Sequence, residues 1–186
     1  NNERNRWLRT DEAACLVHSC RSSQWGGLVV LVQLALCTGA RRGELTNLRW
    51  SDIRFEDTLA YAQIQSTKNR ESRTLVIVGN AFRELKGWRD KRAAITDLVF
   101  PSVNNPFRPF TNLDIHWKKA LADAEITDFR FHDLRHTAAS YLTQAGVPAI
   151  TVAAILGHKT LQMTKRYSHL AVEHQQEAVM KVFGAS

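Results

Sequence analysis

Apolar residues recur at helical spacing over most of this 186-residue chain, and one central stretch alternates instead. Thr10-Asp11-Glu12 opens the first helix, with a capping hydroxyl and acids in the first turn, and the helix is expected to run to about Cys20. Leu28 to Cys37 is apolar apart from Gln33, which predicts a buried helix from about Gly26 to Cys37. That run is too short to span a bilayer and no signal-like start precedes it, so it reads as a core helix. Thr38-Gly39 breaks it, and a short helix is expected from near Arg41 to near Leu48.

The pattern then changes period. Tyr61 to Gln65 alternates every second residue, and Arg73 to Val78 is rich in β-branched residues, with the polar stretch Ser66 to Ser72 between them. This predicts a β-hairpin extended by a strand near Asp52 to Phe55. Helix returns from about Asn80 to Ala93, and Pro101 to Pro109 is a loop holding three of the four prolines. After Thr111 the chain reads as helix throughout. Phe131, Leu134, Ala138, Tyr141, Leu142 and Ala145 form one stripe on a helix from about His132 to Ala145, Gly146 ends it, and Pro148 opens the next. A last amphipathic helix is expected over about Val172 to Phe183. The expected fold class is mainly α with a small antiparallel β-sheet, in a single domain over 1–186.

Composition changes this picture only through charge. Apolar and charged fractions of 44% and 23% are ordinary for a globular protein. The net charge is +7, and residues 58–110, with nine Lys/Arg against four Asp/Glu, hold +5 of it. A concentrated basic segment points to a polyanion such as nucleic acid. Cys15, Cys20 and Cys37 form no C-x-x-C pair and have no clustered histidines, which argues against zinc; sparse thiols suit a reducing cytosol.

The densest chemistry is Phe131-His132-Asp133-Leu134-Arg135-His136, followed by Leu156-Gly157-His158 and then Tyr167. Arg41 and Lys68 lie upstream. Taken together these groups supply what phosphodiester cleavage needs without a metal. Planar guanidiniums hold a phosphate and its developing charge, imidazoles move protons, a lysine protonates a leaving oxygen, and a tyrosine attacks. His132 and Arg135 are three residues apart and are expected on one helix face at the edge of the core. Each residue also has a bland reading. Arg41 could pair with Glu44 one turn along, Arg135 with a surface acid, the histidines could be ordinary satisfied ones, and Tyr167 could be a core aromatic. The functional reading rests on the ordered set.

That set resembles the catalytic domain of the tyrosine recombinase (phage integrase) family. Thr38-Gly39-Ala40-Arg41-Arg42-Gly43-Glu44-Leu45 is similar to its first arginine box, and Thr67 to Thr74 to its lysine-bearing hairpin. His132-Asp133-Leu134-Arg135-His136 matches its H-x-L-R-H box, and Leu156-Gly157-His158 and Tyr167 match the last two motifs. The resemblance implies that Tyr167 attacks the scissile phosphate to give a 3′-phosphotyrosyl link, with His132 as general base and Lys68 as general acid. Arg41 and Arg135 would clamp the phosphate, His158 would donate a hydrogen bond, and Glu44, Asp133 and His136 would support these groups. It implies no cofactor, neither metal nor ATP. The implied partners are double-stranded DNA and other protomers in a tetrameric synapse, engaged through the helix Val172 to Phe183, and no membrane. It also implies a cytoplasmic, nucleoid-associated location and an N-terminal DNA-binding domain beyond this chain. Two rivals remain open: a type IB topoisomerase-like enzyme that relaxes DNA, and a basic helical DNA-binding regulator that never cuts.

Overall fold

The structure, a computed structural model, describes residues 6–65, 72–91, 95–158, 160–165, 167–171, 179–180 and 184. Its elements follow in chain order as α1 (Thr10–Arg21), α2 (Gly27–Thr38), α3 (Arg42–Thr46), β1 (Ile53–Phe55), β2 (Leu59–Gln65), β3 (Ser72–Val78), α4 (Gly79–Lys91), α5 (Leu113–Asp123), α6 (Asp133–Gln144), α7 (Ala149–Leu156) and α8 (Gln162–Lys165). The fold is mainly helical with one three-stranded antiparallel sheet in the order β1-β2-β3.

Helix α2 is the centre of the core. Leu28, Leu31, Val32 and Leu34 are fully buried, and the helix packs against α1, α4, α6 and β3. A helix apolar on every side needs such surroundings, because each buried Leu or Val contributes about 1.5–3 kcal/mol only when removed from water. α2 ends at Gly39, whose φ of 60° is left-handed; a Cβ there would also lie 2.2 Å from Leu156 Cδ2. Glycine is therefore required twice over, by conformation and by the approach of α7.

The sheet follows from its alternation. Along β3, Leu75 and Ile77 are buried while Thr74, Val76 and Val78 face outward. Arg73 shares the inward face with Leu75 and Ile77 by the period of two. Opposite it in the register stands Ile64.

Three expectations need correction. The chain after Thr111 is not continuous helix. It leaves α5 at Asp123, places Glu125 and Asp128 at positive φ, and re-enters helix only at Asp133. His132 is the residue before α6, with its side chain exposed, whereas Arg135 is 5% exposed. The two do not share the core's edge; Arg135 lies inside the core. Ala145, expected on the apolar stripe, is exposed beyond the end of α6, while Thr137, Ala139 and Ser140 on the helix's other sides are buried. α6 is enclosed on several faces, so a single stripe understates it.

Most of the expected helix Val172 to Phe183 lies outside the described residues; Val179 and Met180 are helical and exposed. No described helix is long and apolar enough to cross a membrane.

Candidate active site

The site forms where α3, α6, α7 and β3 converge below Gly39. Arg135 sits one turn into α6 and points under the end of α2. Its Nη1 donates to the carbonyl oxygens of Gly39 at 2.8 Å and Leu156 at 2.6 Å. One guanidinium nitrogen thus ties the first arginine motif to the Leu156-Gly157-His158 turn. Its Nη2 is buried and has no hydrogen-bond partner among the described residues. Burial pushes the Arg135 guanidinium down to about 10, and the nearby charges of Arg41 and Arg73 push the same way. It stays cationic at neutral pH, but it carries a cost that a bound anion would relieve.

Arg41 precedes α3 in extended conformation, and Glu44 reaches back over that helix start. The Glu44 carboxylate accepts from the Arg41 backbone N–H at 2.7 Å and from Arg41 Nη1 at 3.0 Å. It also accepts both arms of Arg73, at 3.0 and 2.9 Å. Burial alone would raise the Glu44 carboxyl, yet the hydrogen bonds from Arg73 and from the Arg41 backbone hold it below its ordinary range. Such a depressed carboxyl contributes stability that is present above its unfolded value and lost as pH falls through the folded one. The cluster is therefore intact throughout the neutral range.

Tyr167 is 6% exposed and packs in a small cluster with Ala139, Val152 and Leu156. Its hydroxyl lies 2.5 Å from His136 Nδ1, and the rings of His136 and His132 meet edge to face at 5.4 Å. The phenol's partner is thus His136, which the sequence reading placed only in support, while His132 stands behind it toward solvent. His158 Nδ1 lies 2.7 Å from the buried Thr164 Oγ1, and the His158 backbone N–H donates to Ala153 O, so α8 fixes the ring. Asp133 is buried, and its Oδ2 accepts from the Arg130 N–H at 2.8 Å, which closes the turn into α6. Lys68 lies outside the described residues.

Arg41, Glu44, Arg135, His136 and Tyr167 are therefore gathered in one region, with Arg135 within electrostatic reach of Arg41, Arg73, Glu44 and Tyr167. Two of the bland readings hold as geometry without competing with function: Arg41 does pair with Glu44, and Tyr167 is a buried aromatic. The one for Arg135 does not, because among the described residues Arg135 bonds to carbonyl oxygens and to no surface acid. In the sequence Arg73 has no role of its own beyond its place at the start of the strand Arg73 to Val78. The missed signal was its place in register with Leu75 and Ile77, which turns a charged residue toward the core. Among the described residues no group of three or more His, Cys, Asp or Glu side chains could hold a metal ion.

The profile of the phage integrase family matches residues 6–174. The integrase of Salmonella phage P22 is 33% identical over 196 aligned positions, covering 100% of this chain and 50% of that protein. The integrase of Haemophilus phage HP1 is 30% identical over 165 positions, covering 88% of this chain and 43% of that protein. The solved catalytic domain of bacteriophage HP1 integrase is similar with a TM-score of 0.72 at 27% identity, covering 93% of this chain and 92% of that one. The XerH recombinase in its post-cleavage complex with difH shares the fold, with a TM-score of 0.77 at 21% identity over 96% of this chain and 54% of that one. The chain spans about half the length of the curated relatives it matches. With the family profile spanning nearly every residue and the fold of a known catalytic domain reproduced, this chain belongs to the phage integrase family of tyrosine recombinases.

Proposed function

We propose that this domain cuts and rejoins DNA strands as a site-specific recombinase, through a 3′-phosphotyrosyl intermediate. The observation that carries the reading is the convergence of buried Arg135, Arg41 and a buried tyrosine hydroxyl held by an imidazole. Relatives named integrase and shufflon-specific DNA recombinase support it.

In this mechanism the Tyr167 oxygen forms a bond to phosphorus, and the bond from phosphorus to the 5′ oxygen breaks. A free phenol has a pKa of about 10 and needs a base. His136 holds the hydroxyl at rest, and His132, exposed beside it, takes the proton at the phosphate. Lys68 supplies a proton to the departing 5′ oxygen. Arg41 and Arg135 donate to the non-bridging oxygens, with His158 adding one hydrogen bond. Attack by another strand's 5′-hydroxyl reverses these steps and restores both the phosphodiester and the phenol. The partner is double-stranded DNA, and the place of action is the cytoplasm, at the nucleoid.

The test uses a pool of nicked duplexes randomised on both sides of the nick. A detergent-stable protein–DNA adduct, which then transfers to an added strand with a 5′-hydroxyl, is the expected result. Relaxation of supercoiled plasmid with no transfer between duplexes would favour the topoisomerase reading. Binding with no adduct would favour the regulator.

Catalysis is further proposed to occur in an assembly of several protomers on paired sites, with residues 172–183 docking on a neighbour. Deleting residues 172–186 is then expected to impair transfer between duplexes more than it lowers the melting temperature. Equal transfer by the truncated and full chains would contradict docking between protomers.

A further inference from the structure

Arg73 is the only cation of β3, and it faces inward. Its side chain is 16% exposed and closes a bidentate pair with Glu44, itself 11% exposed. The same guanidinium lies against the turn that carries His158. Gly157 has a φ of 66°, and a Cβ built there would lie 2.7 Å from Arg73 Nη1, 3.0 Å from its Cδ and 3.1 Å from its Cζ. Arg73 thus fills the space between the first arginine motif and the Leu156-Gly157-His158 turn. Its Nε is buried without a hydrogen-bond partner among the described residues, so packing and the Glu44 fork hold it.

The Glu44 carboxylate is shared. Each oxygen accepts one bond from Arg41, through Nη1 and the backbone N–H, and one from Arg73. If Arg73 is removed, Glu44 loses half of its donors, and only the two bonds from Arg41 still hold the pair in place. Charge points the same way. Arg41, Arg73 and Arg135 against Glu44 leave a surplus of two positive charges in a partly dry site. Attack of a tyrosinate on a phosphodiester monoanion concentrates two negative charges at the phosphorus. Fixed charges placed in advance act most strongly where water is excluded.

We propose that Arg73 is a positioning residue for strand cleavage: packed against Gly157 at the loop end of the β2–β3 hairpin, it sets the Arg41 guanidinium through Glu44. The inference rests on the cleavage reading above. It gives Arg73 no contact with DNA, which separates it from the other cations of the basic segment.

The experiment measures single-turnover adduct formation by the full chain on the randomised nicked pool, together with DNA affinity. Arg73→Ala is expected to slow adduct formation by about a hundredfold with affinity little changed, and Arg73→Lys by about tenfold, because an ammonium keeps the charge but not the fork. The deciding measurement is a cycle with Arg41→Ala. If Arg73 acts through Arg41, the double variant is little slower than Arg41→Ala alone. Losses that multiply in full would show that Arg73 acts independently, and a parent-like rate in Arg73→Ala would remove it from the reaction; either overturns the proposal. Should Arg73→Ala fail to fold by circular dichroism, folded Arg73→Lys decides: slow cleavage supports the proposal and a parent-like rate refutes it. If the parent chain forms no adduct at all, the cleavage reading itself falls, and this inference with it.

Discussion

Tyr167→Phe is expected to abolish covalent adduct formation while leaving non-covalent DNA binding largely intact. The ring is retained in its cluster with Ala139, Val152 and Leu156, and only the oxygen bonded to His136 is lost. One such hydrogen bond is worth about 1 kcal/mol, too little to unfold the domain. Denaturing gels on the nicked pool, with gel shifts run in parallel, read both effects. Parent-like adduct from Tyr167→Phe would take the nucleophile's role away from Tyr167.

The second large effect concerns Arg135, and it has two parts. Arg135→Ala is expected to slow cleavage by about a hundredfold or more, the loss seen when one preorganised charge donor is removed from an anionic transition state. It should also destabilise the domain. The carbonyls of Gly39 and Leu156 lose their shared donor in a buried place, at about 1–3 kcal/mol for each unpaired group. Arg135→Lys separates the parts: its ammonium keeps the charge and can serve both carbonyls as Nη1 does, leaves a smaller cavity than alanine, and lacks the second arm, Nη2. Cleavage rates read well below each variant's melting temperature distinguish a catalytic loss from unfolding. Near-normal cleavage by folded Arg135→Lys and Arg135→Ala would reduce Arg135 to a structural tie.

How much of this was legible beforehand depended on the period of the pattern. The long apolar run of α2, the β2–β3 alternation and the Gly39 and Pro148 boundaries each carry their own local signal, and the structure follows them within a few residues. The break between α5 and α6 was not legible, because Glu125 and Asp128 adopt positive φ without a glycine or proline to mark it. The chemistry-bearing residues were legible as a set in sequence order, but their depth was not. Arginine is normally exposed, and only the tertiary approach of α2, α6 and α7 shows why Arg135 is buried. Pairing across such distances is likewise invisible to spacing. The contact from His136 to Tyr167 joins positions 31 residues apart, and that from Arg73 to Glu44 joins positions 29 apart. Charge counting also could not show that one member of the basic segment, Arg73, is paired with Glu44.

The central claim, that this domain joins itself to DNA through Tyr167, is tested most directly by mass spectrometry of the trapped adduct. Trypsin releases a peptide running from residue 167 to residue 181. After nuclease trimming, that peptide should carry a nucleotide on the Tyr167 oxygen through its 3′ phosphate, and the opposing DNA end should bear a free 5′-hydroxyl. A nucleotide on any other residue, or cut DNA with no protein attached to either end, would contradict the account.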